Sequence, residues 1–244
     1  MYFSNFLNRI VDKLHLQSFI KSTRKFLADE RGGFLLPIEL KLNDKEYEEY
    51  RHLSVDWSIR PITKNFLPQE FSQKAVNTVD LFNRKTFNLP YECMIMFDYI
   101  DGSIVFCSLT GKKSPNQIKG IVFPNLLKNR HIASIHNHPN SYYAPPSCKN
   151  FQMLGLEFEK FELIISYNEL WILESFEKLD SDEISLVREK ANYFFNFCFE
   201  QFNCEFDKGH KLIENVDKCY GDLLLNYINN KYENIKLIRR YLYE

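Results

Sequence analysis

The chain has 244 residues, 45% hydrophobic and 16% aromatic, with 31 Lys plus Arg against 32 Asp plus Glu and a formal charge of −1. That aromatic content excludes a disordered polymer, and the balanced charge gives no general electrostatic pull on nucleic acid. No apolar run approaches the ~18–20 residues of a membrane span. The N-terminus reads without an apolar leader and cleavage site, and six cysteines without Cys-x-x-Cys spacing suit a reducing compartment, so the cytoplasm is the expected location.

Residues 2 to 28 carry Phe3, Phe6, Leu7, Ile10, Val11 and Leu14 at helical spacing, with a basic opposite face. That helix either packs on the body or touches a membrane surface or RNA. Arg31-Gly32-Gly33 ends it, Phe34 to Leu42 reads as a strand, and Asp44 to Arg51 as a charged helical turn. Residues 53 to 68 show no usable periodicity. Gln69 to Phe82 is predicted helical, with Phe71, Ala75, Val76, Val79 and Phe82 on one face. Glu92 to Tyr99 and Ser103 to Leu109 read as strands joined at the turn signal Asp101-Gly102. Gly111 to Asn116 reads as a loop, and Ile118 to Leu127 as a short helix.

His131 to His138 is an apolar strand ending in His136-Asn137-His138-Pro139. Side chains alternate along a strand, so His136 and His138 face one side. Two imidazoles on one side can share a metal ion. Pro139 stops the strand for want of an N–H. Ser147, after Pro145-Pro146, reads as the N-cap of a helix over Ser147 to Phe158. A second hairpin follows, Phe161 to Ser166 with Leu170 to Glu174, turning at Asn168-Glu169.

Asp180-Ser181-Asp182-Glu183 then starts a helix with its acids near the positive dipole end. Ile184, Val187, Ala191, Phe194 and Cys198 recur along it. A second long helix past Gly209 carries Leu212, Ile213, Val216, Tyr220, Leu224 and Ile228, its stripe continuing to Ile235, Leu237 and Ile238. This antiparallel helical hairpin either packs on the core or offers a partner or dimer surface. The expected fold class is α/β (α+β), a mixed sheet flanked by helices with helical N- and C-terminal extensions. The expected segments are 1–68, 69–178 and 179–244.

The stretch His136-Asn137-His138-Pro139, with Ser147-Cys148-Lys149-Asn150 after it and Glu92 opening an earlier strand, resembles the JAMM/MPN+ metallopeptidase motif in its RadC-like form. The resemblance spans roughly residues 69 to 175. It implies a JAMM-like, cytidine-deaminase-like core with His136 and His138 as zinc ligands, Glu92 as general base and Ser147 supporting the transition state. It departs from the family twice. Asn150 stands where the family has the third-ligand Asp, and the loop after His138 is one residue longer. Three readings of position 150 stay open: Asn150 is a weakened third ligand, Cys148 replaces it, or the site is empty and the domain a non-catalytic scaffold.

The function implied by resemblance is a zinc-dependent hydrolase, a metalloprotease acting on an amide or isopeptide bond. Its substrate is expected to be a protein or peptide, with a ubiquitin-like tail as the family case. The HNH nuclease unit needs spaced ligands rather than adjacent residues, and the zinc deaminase signature needs His-x-Glu with Pro-Cys-x-x-Cys. Neither is present.

Overall fold

The computed structural model describes residues 44–109, 131–139, 141, 143–155, 159–202 and 210–243. The helix expected over 2–28, the strand at 34–42 and the loop and helix expected at 111–116 and 118–127 lie outside the described residues.

Helix α1 (Asp44–His52) precedes α2 (Gln73–Thr86). Ser72 caps α2, its hydroxyl accepting from the Ala75 N–H, and the apolar positions Ala75, Val76, Val79 and Phe82 are buried. The helix therefore starts four residues later than the periodicity predicts. The Lys85 ammonium donates to the Tyr50 and Arg51 carbonyls, so α2 closes the C-terminal end of α1.

Strands β1 (Met94–Asp98) and β2 (Ile104–Ser108) form the first hairpin. Its turn needs Gly102, which sits at φ +77° with Lys74 backbone atoms 2.8 Å from where a Cβ would stand. Strands β3 (Ile132–Asn137), β4 (Glu159–Ile165), β5 (Glu169–Ser175) and β6 (Ile235–Tyr241) complete a six-stranded sheet in the order β2-β1-β3-β4-β5-β6. Among the described residues β3 and β4 pair in parallel and the remaining neighbours are antiparallel.

The sheet divides the core into two layers. Cys93, Ile95, Phe97, Ala133, Ile135, Leu163 and Ile172 face α2 and the segment around Tyr50. Ile164, Trp171, Leu173, Ile235 and Leu237 face helices α3 (Ser181–Phe202) and α4 (His210–Lys231). The C-terminal helices therefore pack on the core. α3 nonetheless leaves Leu186, Tyr193, Phe195, Phe197 and Phe199 exposed.

Two expectations are corrected. The stripe at Ile235, Leu237 and Ile238 is not helical. It is strand β6, with Ile235 and Leu237 buried and Lys236 exposed between them, which is a period of two. The 179–244 segment thus ends by completing the sheet of the central segment. The Asn229 side chain accepts from the Leu237 N–H and donates to its carbonyl, satisfying this edge position. Within the stretch expected as a helix over 147–158, the described residues form a 3₁₀ segment, Asn150–Gly155, which buries Phe151 and Leu154 at a spacing of three.

Candidate metal centre

His136 lies between Met94 on β1 and Ile164 on β4, on the sheet face that α3 and α4 cover. His138 follows on the same face, and its N–H bonds the Ile165 carbonyl. The two Nε2 atoms are 3.2 Å apart. A tetrahedral zinc with bonds of about 2.05 Å sets two ligand nitrogens roughly 3.3 Å apart. The imidazole pair therefore fits one edge of such a site. The same separation suits an N–H···N hydrogen bond in metal-free protein, one ring donating.

Both rings are held neutral. Burial pushes His136 well below the ordinary imidazole value, with His138 adding to it, and burial brings His138 down to about 4. Neutral imidazole is the form that binds metal.

Glu92 precedes β1. The register Met94↔His136 carries Glu92 to the level of His138 on the same face. Asn137, the central residue of the tripeptide, points to the other face and secures this alignment. Its Oδ1 accepts from the Cys93 N–H at 2.7 Å and its Nδ2 donates to the Tyr91 carbonyl at 3.1 Å, one bond on each side of Glu92. Burial raises the Glu92 carboxyl to about 7, against the opposing charge of Lys149 from the loop across the site. That value suits a group that exchanges protons near neutrality.

Ser147 and Asn150 form a reciprocal turn resembling a capping box. The Asn150 Oδ1 accepts from the Ser147 N–H at 2.7 Å and from its hydroxyl at 2.8 Å. A backbone N–H can only donate, so the amide orientation is fixed. Nδ2 therefore faces inward, 2.8 Å from Glu162 Oε1 and 3.4 Å from His136 Nε2. An amide nitrogen has no lone pair to offer zinc, so Asn150 in this orientation does not serve as third ligand. Cys148 packs against the core cluster under α3 and α4. Among the described residues no group of three or more His, Cys, Asp or Glu side chains is arranged to hold a metal ion.

The structure thus gathers His136, His138, Ser147 and Asn150 by direct contacts and sets Glu92 on their face. Sequence reading missed Glu162, whose Oε1 lies 3.6 Å from His136 Nδ1. It also missed Glu159, which accepts from the Ser134 hydroxyl. A β-bulge where β4 begins lets Glu159 share a side with Ser134. The available signal was the acid Glu162 set among the apolar residues Phe161, Leu163, Ile164 and Ile165. Helix α4 braces the loop from behind, the Tyr220 hydroxyl donating to the Pro146 carbonyl at 2.6 Å. No family model matches the chain, and neither a curated protein nor a solved structure matches it.

Proposed function

We propose that the chain is a zinc-dependent hydrolase of an amide or isopeptide bond, of the JAMM type, acting on a protein or peptide. The observation that carries this reading is the 3.2 Å separation of two neutral, convergent imidazole nitrogens, with Glu92 aligned on the same face by the strand register. His136 and His138 would hold the metal, with water or substrate in the remaining positions. Bound zinc would supply Lewis acidity and a water whose pKa lies near 7.

The chain's own residues do the rest. Glu92, at about 7, takes up a proton at its carboxylate and returns it to the leaving amine. Ser147 is exposed and shares its hydroxyl proton with Asn150 Oδ1. Ser147 would supply that proton to a developing oxyanion. Asn137 holds the Glu92 segment beside His138.

The inward Asn150 amide nitrogen favours a second reading, a non-catalytic scaffold of the same fold. Metal analysis of protein purified without added zinc separates the two. The hydrolase reading expects about one equivalent, as for one mononuclear site, lost in His136→Ala, together with zinc-dependent cleavage of an isopeptide-linked substrate. Metal-free protein that takes up no added zinc removes the hydrolase reading and supports the scaffold.

A further inference from the structure

Ser134 and His136 on β3, and Glu159 and Glu162 on β4, form a line of buried polar side chains beneath the histidine pair. The proposed chemistry uses only His136. Glu159 Oε2 and Glu162 Oε2 are buried without a hydrogen-bond partner among the described residues. Packing alone does not call for them. A buried carboxylate with an unpaired oxygen opposes folding, whereas Ile164, next on the same face, is an ordinary apolar core residue.

We propose that Glu162 is the positioning residue of the histidine pair, selecting the His136 tautomer whose Nε2 lone pair points at His138. Two neighbours act in the same sense. Asn150 Nδ2 can only donate, so His136 Nε2, 3.4 Å away, meets it with a lone pair. Glu162 Oε1 accepts from Asn150 Nδ2 at 2.8 Å and stands 3.6 Å from His136 Nδ1. The ring proton therefore belongs on Nδ1. Both contacts to the ring are long for hydrogen bonds, but their electrostatic direction agrees. A carboxylate on the far nitrogen of a metal-binding imidazole is how protein sites fix the ligand's tautomer and aim.

Glu162 also accounts for the amide at position 150. With Asn150→Asp, two carboxyl groups would meet at the 2.8 Å now spanned by a hydrogen bond, and one of them would have to keep a proton. An acid on β4 and an amide on the loop are a matched pair. The use made of the lone pair rests on the zinc reading; the tautomer does not.

The test is a long-range proton–nitrogen NMR spectrum of His136 in chelator-treated protein, with zinc affinity measured separately. The parent is expected to show His136 protonated on Nδ1. Glu162→Met removes the acceptor and is expected to lose that preference, to bind zinc ~10–100-fold more weakly and to melt no lower than the parent at pH 8. A purely structural role gives the reverse, a lower melting temperature with tautomer and zinc affinity unchanged, and overturns the proposal. If Glu162→Met does not fold, the parent spectrum decides. Protonation on Nε2 overturns the proposal, whereas protonation on Nδ1 that survives in Glu162→Gln, which keeps the acceptor, supports it. A parent that binds no zinc removes the hydrolase reading and leaves the tautomer result standing.

Discussion

Glu162→Gln should change how the stability of the zinc-free protein depends on pH. Burial lifts the Glu162 carboxyl from 4.5 to about 8, offset in part by the hydrogen bond from Asn150. A carboxyl raised on folding binds its proton more tightly in the native than in the unfolded state. Its contribution is fully present below pH ~4.5 and is lost as pH rises through ~8. The interval of 3.5 units, at about 1.4 kcal/mol each, bounds the loss at about 5 kcal/mol. Glu159 is raised by burial and then by Glu162, so replacing Glu162 also removes part of the Glu159 slope, with the same sign. The histidines work in the opposite direction. Both are lowered, His138 to about 4, so they make stability fall as pH drops below ~6.5, and the comparison from pH 6.5 upward is free of them. Urea unfolding with chelator at half-unit steps from pH 5 to 9 reads that difference directly. The variant should gain on the parent by several kcal/mol between pH 5 and 8, then run parallel to it. Parallel curves over the whole range would show that Glu162 does not titrate from a buried position, and would refute the account of the site.

Asn137→Ala removes the acceptor for the Cys93 N–H and the donor to the Tyr91 carbonyl. It is expected to cost roughly 2–4 kcal/mol, a fall of roughly 5–15 °C in melting temperature for a domain of this size; a change below ~1 °C by calorimetry would contradict the clamp. The thiols of Cys198 and Cys219 lie 3.0 Å apart across α3 and α4. Treatment with a small-molecule disulfide should link them, adding about 3 kcal/mol. Peptide mapping should find that bond, slowly formed because burial, aided by Cys219, pushes the Cys198 thiol up to about 12. If the hydrolase reading holds, kcat/KM should rise with pH through about 7 as Glu92 loses its proton. Glu92→Gln should abolish turnover at every pH, and a rate that is flat from pH 5 to 8 would remove Glu92 as the base.

What the sequence disclosed followed local period and local chemistry. The apolar face of α2, the Asp101-Gly102 turn and the facing of His136 and His138 all depend on residues within one or two turns of each other. The misread elements depended on distant partners. Ile235, Leu237 and Ile238 fit a helical stripe as well as an alternating strand, and only pairing with β5 and the Asn229 amide decides between them. Glu162 was invisible as a site residue for the same reason. Its meaning comes from β4 lying parallel to β3, so that an acid 26 positions after His136 in the sequence stands beside its ring.

Position 150 shows what a motif leaves out. Read from the sequence, Asn150 is a third ligand weakened by lost charge. In the structure its oxygen is already held by two donors of Ser147 and its nitrogen by Glu162. Turning that oxygen to a metal would break three hydrogen bonds of about 1 kcal/mol net each. That is roughly 3 kcal/mol against ligation, or about a hundredfold in affinity. One neutral carbonyl is a poor return for that loss when water can fill the position. The energetics therefore oppose Asn150 as a ligand and leave the two imidazole nitrogens, 3.2 Å apart, as the donors on which the hydrolase reading relies. On the hydrolase reading those two imidazoles would carry the zinc, so the metal content of the purified protein, and its loss in His136→Ala, remains the measurement that separates hydrolase from scaffold.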